Sequence, residues 1–272
     1  MSNIYTVIIF ILLITIGVLI YIYYKDIILL IIPQQSVCIS VVPPPDVPIV
    51  VPDVGIPVVP IPSGVVLNLS DKSINYQEYA KGRLSVSDNI LTAVLNPSDG
   101  NGENKETKEV SKKQRNEISV KNKSFVLQIG QTGTWGCYFK VIQNIDWKTG
   151  FYHLIQIKYN LPGGNPDKNV INPIFTVSIN NNSICTRAEN GKYTTIMPLG
   201  DVIGKWIPMN VTVANKNNGS INYNINGMTG TMNFENAGTE LYFKCGQYRV
   251  WPNDIKVVTT SLYKDISFKL NK

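Results

Sequence analysis

A chain of 272 residues, 44% of them hydrophobic and with a net charge of +6, has room for one large domain or two small ones. Its four cysteines, Cys38, Cys137, Cys185 and Cys245, lie far apart with no C-x-x-C spacing, which argues against a zinc site and a redox dithiol. The modest positive balance suits a polyanionic partner. Nucleic acid and acidic polysaccharide are both such partners, and a generally basic soluble surface is the plainer reading; no helix-turn-helix, zinc-finger spacing or Lys/Arg stripe on a helical face is present, which argues against nucleic acid.

In chain order, the first element is apolar. Ile4 to Tyr24 is interrupted only mildly, by Thr6, Thr15 and Gly17, and a second apolar run, Ile27 to Ile32, follows Lys25 and Asp26. A membrane-crossing helix takes ~20 residues. Met1-Ser2-Asn3 carries no basic side chain and no A-x-A-like cleavage site follows, so an uncleaved anchor over residues 1–32 is expected rather than a signal peptide. Lys25 beside Asp26 leaves the orientation open. Sequons at Asn68, Asn122, Asn181, Asn210 and Asn218 are compatible with an extracellular or lumenal domain.

Residues 33–64 alternate Val and Ile with Pro43-Pro44-Pro45, Pro48, Pro52, Pro57, Pro60 and Pro62. Proline at this density blocks helices and central strands and favours extended polyproline II. The segment reads as a semi-rigid spacer.

From Val65 to Lys272 the composition is that of one globular domain. The pattern predicts strands over 90–95, 116–120, 125–129, 137–142, 152–159, 174–179, 193–197, 209–214, 220–225, 229–234, 241–250, 256–260 and 266–270. Turn signals separate them: Asp99-Gly100-Asn101-Gly102, Pro162-Gly163-Gly164-Asn165, Asn190-Gly191, Asn217-Asn218-Gly219 and Asn226-Gly227. The polar stretch from Asp99 to Gln114 reads as a loop or insertion. No sustained helical period appears, so the class is all-β, an antiparallel sandwich or barrel.

Within the 241–250 strand, alternation puts Tyr242, Lys244, Gly246 and Tyr248 on one face and Phe243, Cys245 and Gln247 on the other. A cation, a phenol and a gap between them form a floor for an acidic sugar; an edge strand with solvated Lys and Tyr is the plainer reading. Alternation likewise groups Arg115, Glu117 and Ser119, and separately Gln156 and Lys158, with His153 on the opposite face from Gln156. A same-face salt bridge on a solvated sheet would also account for Arg115 and Glu117.

The segment Tyr242-Phe243-Lys244-Cys245-Gly246-Gln247-Tyr248-Arg249 resembles the Y-F-K-x-G-x-Y strand of alginate lyases and of the related jelly-roll glucuronan and heparin lyases. Arg115-Asn116-Glu117-Ile118-Ser119 resembles the R-x-E-x-R strand of that group, with Ser119 where the second arginine would stand. Gln156-Ile157-Lys158 resembles its Q-I-H strand, with Lys158 where the histidine would stand. The resemblance implies a concanavalin A-like β-jelly roll, a two-sheet antiparallel sandwich over residues 65–272, preceded here by the transmembrane helix and the Pro-rich spacer. It implies β-elimination on a uronic-acid polymer, with no metal or cofactor. By resemblance, Tyr248 transfers the proton, Lys244 is its electrostatic partner, and Arg115 and Gln156 hold the uronate carboxylate. Glu117 orients Arg115, Lys158 helps neutralise the carboxylate, and Tyr242 and Arg249 contact substrate. His153, the only histidine of the chain, is placed away from Gln156 by its parity, which leaves a tyrosine-only route or an inactive site. A non-catalytic carbohydrate-binding module on a membrane stalk is the alternative, with Trp135, Trp147, Trp206 and Trp251 as stacking surfaces. A membrane-anchored adhesion protein is a third reading. Glycosidase chemistry wants two facing carboxylates, and Glu117 has no evident partner.

Overall fold

The computed structural model describes residues 64–72, 74–78, 82–96, 113–143, 145, 151–160, 173–188, 191–235, 239–250 and 257–271. The helix expected over 4–24, the spacer over 33–63, most of the polar stretch after Asp99, and Trp147 and Trp251 lie outside these residues. Among the described residues, no helix is long and apolar enough to cross a membrane.

Two antiparallel sheets make up the described domain. The first sheet, in spatial order, is β13 (Met228–Glu235), β12 (Asn218–Ile225), β11 (Ile207–Ala214), β6 (Thr132–Val141), β15 (Thr259–Asn271), β4 (Ile90–Leu95) and β3 (Leu84–Ser87), with β1 (Val65–Val66) also on β15. The second is β10 (Tyr193–Pro198), β9 (Ser183–Ala188), β8 (Phe175–Asn180), β7 (Tyr152–Tyr159), β14 (Leu241–Val250), β5 (Lys113–Val120) and β2 (Asn75–Glu78). The architecture is the all-β sandwich expected from the sequence.

Period-2 patterning explains why these segments are strands. Leu91, Ala93 and Leu95 of β4, and Ile207, Met209, Val211 and Val213 of β11, are buried while their neighbours point outward. Val177 and Ile179 of β8 and Ile155 and Ile157 of β7 enter the same core from the other sheet. Trp135 is central to that core: its Nε1 donates to the Phe125 carbonyl at 3.1 Å and its ring lies 4.9 Å from that of Phe268. It is packing, not a sugar platform.

Segment 125–129 is not a strand. Its backbone pairs with the sheet through an isolated bridge from Leu127 to Leu241, and its apolar pattern reflects core filling by Phe125 and Leu127. Residues 259–260 and 266–270 of the two expected strands belong to one strand, β15, whose register shifts between Lys264 and Ser267. β2, β3 and β9 escape the sequence pattern. Two of the hairpins that create them turn on Asp88-Asn89 (φ 51° and 56°) and Asn181-Asn182 (φ 47° and 53°). These carry positive φ at both central residues without the glycine of the Asn226-Gly227 hairpin.

Cys137, Cys185 and Cys245 are free and buried. Burial pushes the Cys137 and Cys245 thiols up, so both are inert core residues.

Candidate functional site

The outer face of the second sheet collects the polar side chains that the alternation predicted. β14 pairs regularly with β5: Tyr248 faces Arg115, Gly246 faces Glu117 and Lys244 faces Ser119. On its other side Lys244 faces Gln156 and Tyr242 faces Lys158. The three motifs therefore lie on adjacent strands, with β14 in the middle.

Glu117 is the hub. Lys244 Nζ lies 2.9 Å from its Oε1 and Arg115 Nε lies 3.2 Å from its Oε2, while Gln156 Nε2 donates to Oε1 at 2.7 Å. Lys244 also donates to Gln77 Oε1 on β2 at 2.8 Å. The Lys244 and Glu117 side chains are each only 2% exposed. A buried ion pair persists where further hydrogen bonds satisfy both charges, and Gln77 and Gln156 supply them here. Gln156 commits its amide nitrogen to Glu117, and its buried Oε1 has no hydrogen-bond partner among the described residues. As placed, it offers an acceptor, suited to a sugar hydroxyl rather than to a carboxylate.

Gly246 sits directly over Glu117. Its φ is +134°, and a Cβ there would stand 2.4 Å from the Asn116 carbonyl oxygen and 2.4 Å from Glu117 Cα. The gap between Lys244 and Tyr248 is thus a backbone requirement as well as an opening.

His153 departs from the sequence expectation. The register of β7 slips at Leu154: Ile155 faces Cys245 and Val177, yet His153 faces Tyr248 and Ser178. Leu154 and Ile155 both enter the core, so the bulge reverses the alternation. His153 consequently shares the face of Gln156, Lys158 and Tyr248. The bulge is pinned from the core by Tyr263 of β15, whose hydroxyl lies 2.6 Å from the Gly246 carbonyl oxygen and 3.1 Å from that of Leu154.

Around Tyr248, the Arg115 guanidinium carbon stands 4.2 Å from the ring centroid. The His153 ring lies 6.2 Å away, and Phe151 stacks on His153 at 4.7 Å. His153 Nδ1 is 2.8 Å from Ser178 Oγ, which is 2.8 Å from Thr176 Oγ1. Burial, then the charges of Arg187 and Lys158, lower the imidazole to about 3. His153 is therefore a neutral imidazole at any working pH. A pH titration followed by imidazole proton NMR is expected to show no inflection between pH 5 and 8; a midpoint near ~6.5, the ordinary value, would contradict the buried placement.

Arg187 on β9 is a site-facing cation that the sequence reading missed. It pairs with Thr176, which pairs with Gln156, so all three share the outer face. Alternation in Ser183-Ile184-Cys185-Thr186-Arg187 carried the signal, but the strand itself was not recognised.

Lys158 is half-buried beside Tyr242. Burial, followed by the charges of Lys244, Arg115 and Lys121 and opposed by Glu117, lowers its ammonium to about 8. Tyr242 shifts the other way: burial first, then Glu117, pushes its phenol up to about 12, and Lys121 Nζ sits 4.8 Å from its ring centroid. Lys158 faces Tyr242, six positions along β14 from Tyr248, roughly 20 Å at ~3.3 Å per residue.

Arg249 does not contact a substrate on this face. It points into the core, where its Nε donates to Gln114 Oε1 at 2.9 Å and its Nη1 lies 3.3 Å from Thr259 Oγ1. Gln247 beside it receives Tyr152 and Thr259 hydroxyls at 2.6 Å each. Odd positions of β14 face inward, and Arg249 follows that parity.

Solved structures to which this chain is similar include polysaccharide lyases. Family 7 alginate lyase A1-II′ in complex with substrate (GGMG) matches at a TM-score of 0.51 and 18% identity, over 71% of this chain and 83% of that chain. A further structure of A1-II′ matches at a TM-score of 0.50 and 16% identity, over 71% and 86%. The endo-β-1,4-glucuronan lyase of the fungus Trichoderma reesei aligns over 77% and 92% at 14% identity, with a TM-score of 0.49. No family model matches the chain, and no curated protein matches it. At these identities the likeness shows the fold, a jelly-roll sandwich of the kind polysaccharide lyases use.

Proposed function

We propose that this chain is a metal-independent lyase that cleaves a uronic-acid-containing polysaccharide by β-elimination. The observation that carries the reading is the cluster of Tyr248 with Arg115 over its ring and neutral His153 opposite it, on a face where cations outnumber carboxylates. In β-elimination a base removes the C5 proton of a uronate, the C4–O bond breaks, a C4=C5 double bond forms, and the departing oxygen takes a proton. Arg115, over the ring of Tyr248, is placed to neutralise the uronate carboxylate. Tyr248 takes the C5 proton and returns it to the leaving oxygen, while His153, uncharged, can accept a hydrogen bond beside it. Glu117 holds Arg115 and Lys244 in place. In this reading residues 1–32 anchor the chain and residues 33–64 hold the domain off an extracellular or lumenal membrane face.

The deciding experiment incubates the full chain, in detergent, with alginate, glucuronan and heparin-like polymers and follows the ultraviolet absorbance of the unsaturated product. Absence of product from every polymer rejects the lyase reading. Ser119 and Lys158, which stand where an arginine and a histidine are found in the resembling motifs, favour a second reading, glycan binding without cleavage. Retention by a polymer that is never cut would establish it.

Lys158 gives this site a pH signature. A bound carboxylate stabilises its ammonium, so binding near pH 8 takes up a proton, and affinity falls as pH rises past about 8. Calorimetry in two buffers of different ionisation enthalpy should give different apparent binding enthalpies at pH 8, and Lys158→Met should abolish the difference. Equal enthalpies for the parent protein would sink this assignment.

A further inference from the structure

We infer that a second contact site for the acidic glycan lies on the opposite sheet, around Trp206, Lys140 and Lys264. It rests on the reading of the partner as an acidic polysaccharide, not on cleavage. Register places the residues together: Ile207 faces Phe139 and Pro208 faces Tyr138 across β11 and β6, and Lys264 of β15 faces Tyr138. Since Phe139 and Ile207 are core residues, Tyr138, Lys140 and Trp206 point outward. Lys140 Nζ stands 4.5 Å and Lys264 Nζ 4.7 Å from the Trp206 ring centroid, and Lys264 Nζ is 5.2 Å from that of Tyr138.

Two ammonium groups within 5 Å of one indole repel each other, and among the described residues neither has a carboxylate partner. Ring quadrupoles hold them in this position. A glycan carboxylate at either ammonium would offset the repulsion and form a charge-assisted hydrogen bond.

Trp206 also lines a cleft of about 340 Å³, together with Met197, Asp201, Lys205, Ile207 and Asn226. Asn226 contributes an independent sign of a ligand: its Oδ1 is buried with no hydrogen-bond partner among the described residues. An indole wall, an apolar floor and an unmatched acceptor suit a sugar ring with hydroxyl donors, and the lysine pair suits its carboxylate. The site is on the other sheet from Tyr248, so it would hold polymer without touching the reacting bond.

The test is retardation of the full chain, in detergent, through native gels containing polyuronate or the neutral polymer hydroxyethyl cellulose. Tyr248→Phe is used as background so that turnover plays no part. Lys140→Gln with Lys264→Gln, both on the surface, should weaken polyuronate retention about ten-fold, with unchanged circular dichroism. Trp206→Phe, which keeps an aromatic wall, should weaken it less. Unchanged retention in the folded double variant overturns the inference, and so does equal retention of the parent by the neutral polymer. Because retention needs no cleavage, failure of the lyase assay leaves this result readable.

Discussion

Tyr248→Phe is expected to lower the rate of unsaturated product formation at least ~100-fold, the usual contribution of a positioned proton-transfer group. The substitution removes one oxygen and keeps the ring on which Arg115 rests at 4.2 Å. Arg115 also keeps its ion pair with Glu117. Polymer affinity should therefore stay within about two-fold of the parent, because the cations that meet the carboxylate are unmoved. A fall in rate with unchanged affinity separates a group acting on the reacting atoms from one that only binds. If Tyr248→Phe forms product at the parental rate, Tyr248 is not the proton carrier and this assignment is wrong.

Gly246→Ala should be more damaging than its size suggests. An alanine cannot adopt φ +134° without strain, and its Cβ would collide with the β5 backbone at 2.4 Å. The strain costs ~1–3 kcal/mol and the overlap ~1–3 kcal/mol more. A loss of about 3 kcal/mol corresponds to a fall of roughly 10 °C in Tm for a domain of this size. The site should suffer as well, because β5 carries Arg115 and Glu117 and cannot retreat without moving both. Thermal unfolding of the full chain checks this: a melting point within about 2 °C of the parent means that the close approach is not present in solution.

Both expectations meet at the bulge that joins β7 and β14. Tyr263 reaches through the core to the carbonyl groups of Gly246 and Leu154, so a residue of the opposite sheet holds the backbone that presents Tyr248 and His153. An unpaired buried carbonyl costs ~1–3 kcal/mol, which explains why a tyrosine rather than a phenylalanine occupies that core position.

Much of the site was legible in the linear chain. Local alternation alone set the faces of Tyr242, Lys244, Gly246 and Tyr248, because β14 pairs with β5 without a slip and period 2 then holds from end to end. The same logic grouped Arg115 with Glu117 and Gln156 with Lys158, and the turn residues and strand spacing determined an all-β sandwich. The ion pairs of Glu117 with Arg115 and Lys244 required the tertiary structure, because register between strands distant in sequence depends on core packing as well as on local pattern. His153 is the sharpest case. Its parity along the chain pointed to the core, but one extra residue at Leu154 reverses every position before it. A bulge leaves no signature in hydrophobic alternation when both residues beside it, Leu154 and Ile155, are apolar and buried. Arg187 depended on a hairpin whose Asn-Asn turn lacks a glycine, and Arg249 on a core able to accept a guanidinium between Gln114 and Thr259. What the sequence determined by itself was the chemistry available on each strand face; which faces meet, and which cations reach Glu117 and Tyr248, was decided by the packing of one sheet on the other.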